Sequence, residues 1–169
     1  QLFLTDFGFE RSQIEAFRAA LETIGSPLYV TYNGASFDVP VLRGRFIMNG
    51  YRFPESDHFD LLHLSRRLYR RRIGTCSLSM MESAVLGRPR DGDVPGSEAP
   101  ERYHAYLRRG EVAPLFPVFE HHYNDIAHLA ELGFHLNRVL IGDGAVIEGG
   151  AEPVGEGAEP VGEGAEPVG

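Results

Sequence analysis

The segment Tyr32-Asn33-Gly34-Ala35-Ser36-Phe37-Asp38 follows the apolar run Leu28-Tyr29-Val30-Thr31 and precedes Pro40, Val41, Leu42, Phe46 and Ile47. β-Branched and aromatic residues predict a strand, and a proline in a first helical turn, followed by apolar residues at helical spacing, predicts a helix. A strand that feeds straight into a helix belongs to an α/β chain. Asp38 then stands at the helix entrance. Its charge suits the helix dipole there without any ligand, and a carboxylate at the end of a strand also suits a bound metal ion. Both readings stand on the residues alone.

The same alternation extends along the chain. Leu2-Phe3-Leu4-Thr5 reads as a strand, and Ile14, Phe17, Leu21 and Ile24 recur at helical spacing before Gly25-Ser26-Pro27 stops the helix. His58-Phe59-Asp60 predicts a further short strand leading into a helix with Leu61, Leu64 and Leu68 on its buried face. Another helix is expected from Leu78 to Leu86, with Gly87 as its stop. Residues 89–100, rich in Pro, Gly and Asp, read as a loop. Short helices near Tyr103 to Arg108 and a long helix from Val118 to Leu140 complete the foldable part, 1–141. The long helix is expected to bury Ile126, Leu129, Ala130, Leu136 and Leu140, leaving His121 and Asp125 at the margin of that face.

From Gly150 the unit Gly-Ala-Glu-Pro-Val-Gly-Glu repeats, so residues 142–169 are expected to be a disordered tail with few groups able to build a core. The formal net charge is −8, but Glu148, Glu152, Glu156, Glu159, Glu163 and Glu166 supply six of those charges and leave −2 for the residues before them. The acidic balance therefore says little about the folded part. All 16 basic residues are Arg, which suits bidentate phosphate contacts, although genome composition accounts for the lack of Lys equally well. An apolar fraction of 43% with eleven Phe and seven Tyr supports a real core. No run approaches the roughly 18 apolar residues of a membrane span, and no basic-then-apolar leader is visible. Cys76 is the single cysteine, which excludes an internal disulfide or a Cys-based zinc site and agrees with a reducing, cytoplasmic compartment.

Chemistry concentrates in two places. The first is Asn33 to Asp38. The second is His121-His122-Tyr123-Asn124-Asp125 on the long helix, where His121 and Asp125 share one face at a spacing of four. Taken alone, the second is also an ordinary helix-stabilising pair. Together, Asn-x-x-x-Phe-Asp and His-x-x-x-Asp resemble the second and third motifs of the DEDD exonucleases, which have a ribonuclease H-like fold. Tyr32 to Pro40, His58 to His63, Arg66-Arg67-Leu68, Cys76-Ser77-Leu78, Asp93-Val94-Pro95-Gly96, Tyr106-Leu107 and His121 to Asp125 are similar, in order, to the YprB-type ribonuclease H-like domain. The resemblance runs from Gln1 to about Leu140.

That resemblance implies an α/β ribonuclease H-like fold with a mixed sheet flanked by helices, and a metal-dependent 3'-to-5' exonuclease acting on single-stranded DNA or RNA ends. Two Mg2+ or Mn2+ ions would activate the attacking water and stabilise the leaving oxygen. By position, Asp38 and Asp125 would be metal ligands, and His121 would orient or deprotonate the water. The family's remaining carboxylates come from an Asp-x-Glu on its first strand, and this sequence contains no Asp-x-Glu. The expectation is therefore a domain lacking its first one or two strands, with weak metal binding and little nuclease activity as it stands. The family also implies a fused or partner helicase-like domain.

Other residues carry paired readings. Asn33 reaches a sugar or base edge, or is a turn residue. Phe37 stacks on a terminal base, or is core. Asp60 lies near the site, or caps its helix, and Tyr32 is site-adjacent. Arg66, Arg67 and Arg70, with Arg71 and Arg72, neutralise phosphates, or solvate the helix. Asp91-Gly92-Asp93 lacks the distal Glu of a calcium loop and reads as a turn. Two other functions remain open: a non-catalytic nucleic-acid-binding module, and a small-molecule metal hydrolase built on His121, Asp125 and Asp38.

Overall fold

The computed structural model of the chain describes residues 1–25, 28–90, 92 and 94–142. The repeat tail beyond Gly142, the Asp91 and Asp93 turn, and the Ser26-Pro27 part of the first helix stop lie outside these. The run before Asn33 forms β1, Tyr29–Thr31, which pairs in parallel with β2, His58–Asp60, matching Tyr29 to His58, Val30 to Phe59 and Thr31 to Asp60. Between them lies α2, Asp38–Met48, so the unit is strand, helix, parallel strand. The helices α1, Glu10–Ile24, α3, Leu61–Ile73, α4, Leu78–Ala84, α5, Ala99–Arg109, and α6, Phe116–Leu140, complete the architecture. This α/β arrangement is mostly helical, and the sheet among the described residues is a parallel pair rather than a mixed sheet. A two-stranded sheet needs helices packed on it to persist.

Two cores supply that packing. The larger joins Leu61, Leu62 and Tyr69 of α3, Cys76, Met81 and Val85 around α4, and Leu132 and Leu136 of α6. The smaller joins Ile14 of α1, Phe46 of α2 and Phe53, with the Phe46 and Phe53 rings edge to face at 5.2 Å. Cys76 is buried within the larger core. Burial also pushes its thiol up, away from the thiolate that a nucleophile needs.

Two expectations need correction, the strand at Leu2 to Thr5 and the buried face of α6. Leu2 to Thr5 is not a strand. Among the described residues it has no strand beside it, and it is held by aromatic contacts instead: Phe3 packs edge-on against Phe119 at 5.1 Å and Tyr106 at 5.3 Å, and the Tyr103 hydroxyl donates to the Leu4 carbonyl at 2.9 Å. In α2, Phe46 is buried and Leu42 half-buried, while Val41 and Ile47 face outward. In α6 the inward stripe is His121, Asp125, His128, Leu132 and Leu136, a regular succession of three- and four-residue steps. Ile126, Ala130 and Leu140 are exposed. The stripe is apolar only in its second half, so His121 and Asp125 sit on the inward face rather than at its margin. No helix among the described residues is long and apolar enough to cross a membrane.

Candidate functional site

Asp60, the last residue of β2, organises the first site. Its Oδ1 accepts from the Asn33 amide at 2.8 Å and the Leu62 amide at 3.1 Å, and its Oδ2 accepts from the Ala35 amide at 3.1 Å. One carboxylate thus caps α3 and ties down the loop after β1. Burial alone raises its pKa, but the amides of Ala35, Asn33 and Leu62 outweigh burial and hold the carboxyl below the usual aspartate value. The loop turns at Asn33, whose φ of 64° is left-handed, a conformation Asn tolerates better than most residues.

Gly34 follows, buried against Thr31, where an added Cβ would lie 2.5 Å from the Thr31 Cβ. Gly34→Ala is therefore expected to cost about 1–3 kcal/mol through overpacking, read as a fall in the denaturation midpoint. An unchanged midpoint would show that the loop has slack. Phe37 occupies the N-cap position of α2 and is 63% exposed, so its core reading is corrected. Asp38 is the first helical residue and is exposed, in the first turn where the dipole favours it.

Beside this loop, Tyr32, Asn33, Leu62, Arg66, Arg70 and the Gly74 to Leu78 turn line a groove of about 610 Å³. Arg66 and Arg70 are one helical turn apart on α3 and so present two cations along it. Arg67 points elsewhere and does not line the groove. Tyr32 braces the wall: its hydroxyl donates to the Cys76 carbonyl at 2.8 Å, and burial pushes the phenol up to about 12, so it serves as a donor and not as a base.

The second site lies where α4, the loop at Arg90 and α6 meet. Glu82 of α4 is fully buried and is gripped by the Arg90 guanidinium through both carboxylate oxygens; His128 Nδ1 lies 3.1 Å from its Oε1. The same guanidinium donates to Asp125 Oδ1 and, at 3.2 Å, to His121 Nδ1. Because an arginine only donates, His121 Nδ1 accepts, which leaves the ring proton on Nε2, 3.4 Å from Asp125 Oδ2. Sequence reasoning paired His121 with Asp125 but missed Glu82, Arg90 and His128. A buried Glu leaves no trace in an apolar periodicity, and Arg90 sits in a segment legible only as loop.

Among the described residues, no three His, Cys, Asp or Glu side chains gather closely enough to hold a metal ion. Asp125 Oδ1 is engaged by Arg90, and Asp38 and Asp125 do not join in one such group. The residues as arranged do not fit the expected ion pair.

Comparison with known proteins gives two matches. The RNase_H superfamily model matches residues 1–137. The uncharacterized protein YprB of Bacillus subtilis (strain 168) is 31% identical over 135 residues, which take in 78% of this chain and 33% of that protein. The chain thus spans about a third of the length of this relative. No solved structure matches.

Proposed function

The chain belongs to the ribonuclease H superfamily as a YprB-type domain, and on that premise we propose that it acts on single-stranded ends of DNA or RNA as a 3'-to-5' exonuclease. The superfamily is of nuclease type and generally works with divalent metals. The observation that carries the reading is the groove in which Asn33 meets Arg66 and Arg70. Two guanidinium groups one turn apart match successive phosphates of a strand, and the Asn33 amide offers both a donor and an acceptor to a sugar or base edge. Phe37, exposed at the start of α2, offers a ring for a terminal base. His121 is the group assigned to the attacking water, with Asp38 and Asp125 the carboxylates assigned to the metal. The described residues do not assemble a ligand set for a metal ion. Turnover by this chain is accordingly expected to be slow.

The test is a digestion of 5'-labelled single strands of DNA and of RNA in Mg2+ or Mn2+. Stepwise shortening from the 3' end is expected, reduced about a hundredfold or more by His121→Ala. Internal cuts, or a 5'-to-3' ladder from a 3'-labelled strand, would contradict the direction. Intact strands held with salt-sensitive affinity would instead favour a binding module, a second reading supported by the Arg90 contact on Asp125 and by the lack of an Asp-x-Glu. Hydrolysis of a small phosphoester that a single strand fails to inhibit would point to a small-molecule hydrolase.

A further inference from the structure

Arg90 stands where a cation is wanted. Its guanidinium reaches Asp125 Oδ1 and His121 Nδ1 at once, and its side chain is only 16% exposed. It is kept there from behind: Glu82, with no exposed surface, takes two of its N–H groups, so the charge is anchored to α4 and not merely drawn to Asp125. Bidentate, partly buried pairing of this kind fixes both position and orientation.

From this we propose that Arg90, held by Glu82, is a positioning residue that serves as the internal cation of the His121–Asp125 pair, so that a divalent ion reaches Asp125 only by displacing it. The disagreement between the family's metal chemistry and the present arrangement then has a specific cause. Asp125 already has its counter-charge, and the His121 Nδ1 lone pair is already occupied. This role of Arg90 rests on the proposed metal role of Asp125, but it is read by ion binding and not by turnover or by strand binding in the Arg66 and Arg70 groove, so the two can fail separately.

The sign of the effect separates this role from a structural one, because a variant that merely loosens the fold loses metal affinity, whereas removal of a competing cation raises it. The probe is Mn2+ alone, followed by the electron paramagnetic resonance of the free ion, with circular dichroism confirming the fold. Arg90→Gln, and the double variant Glu82→Gln with Arg90→Met, which removes both buried charges together, are expected to bind Mn2+ about tenfold more tightly than the natural chain. Adding Asp125→Asn is expected to abolish that gain. Equal or weaker binding by the folded double variant, or a gain that survives Asp125→Asn, overturns the proposal. On the natural chain itself, the Arg90 Nε–H resonance is expected to persist in slow exchange with solvent. Rapid exchange there would mean that no latch exists, whatever the variants do.

Discussion

Glu82→Ala is expected to destabilise the chain by about 3–5 kcal/mol, the usual cost of breaking a buried ion pair by deleting one partner. Glu82 has no exposed surface, and its carboxylate satisfies two N–H groups of Arg90 and faces His128 Nδ1. Deletion takes from a largely buried guanidinium the carboxylate that holds two of its N–H groups, and leaves a void beside the core that Met81 and Val85 share with Leu132 and Leu136. Glu82→Gln keeps the shape and one acceptor, so its loss should be smaller. Replacing Glu82 and Arg90 together with methionine should lie nearer the natural chain than Glu82→Ala does, because no fully buried charge is left unpaired and Asp125 keeps its contact with water. Urea unfolding followed by circular dichroism suits a chain that has no Trp. Equal stability of Glu82→Ala and the natural chain would mean that the contact of α4 with α6 does not depend on this pair.

Asp60→Ala is expected to cost about 2–4 kcal/mol, since three amides lose a charged acceptor at once. The loss is local in origin and wide in effect. The Asn33 and Ala35 amides define the loop between β1 and α2, and Leu62 opens α3, so one carboxylate holds the groove wall to the helix that carries Arg66 and Arg70. Asp60→Asn is the sharper control, because an amide retains only one oxygen and turns its NH2 toward a backbone donor. The folded carboxyl lies below its ordinary value, with the amides outweighing burial. Its contribution is thus fully present above the ordinary aspartate range and is lost as the pH falls through the folded value. The stability difference between the natural chain and Asp60→Asn should therefore shrink on acidification. A constant difference down to strongly acidic pH would show that the charge is not what the three amides bind.

These two carboxylates differ in how far the sequence announced them. Asp60 was legible, since a carboxylate between a β-branched or aromatic run and an apolar helix is a capping signal, and the cap is present. Its hold on Asn33 and Ala35 was not, because the register of β1 on β2 decides which amides face it. Leu2 to Thr5 has the composition of a strand, yet pairing needs a neighbour, and the aromatic rings of α5 and α6 were the stronger attraction. On α6, counting apolar residues favoured Ile126 and Ala130, whereas the inward stripe is polar and only half-buried for its first two turns, where it meets Glu82 and Arg90. Ile126 and Phe134 instead join Val30 and Phe59 around an apolar hollow of about 480 Å³. The family, by contrast, was legible because its marks are spaced residues at strand ends and on one helix face, and those spacings do not depend on which face becomes buried.

Whether a nucleic acid strand lies along the groove of Asn33, Arg66 and Arg70 is decided by fluorescence anisotropy of a labelled single strand over a range of salt. Arg66→Gln with Arg70→Gln should weaken binding and reduce the slope of log affinity against log salt by about 1.4, two phosphates at about 0.7 each. Arg108→Gln, in the last turn of α5, serves as the control for a lost surface charge. If the double variant binds with the affinity and salt slope of the natural chain, the strand does not lie there.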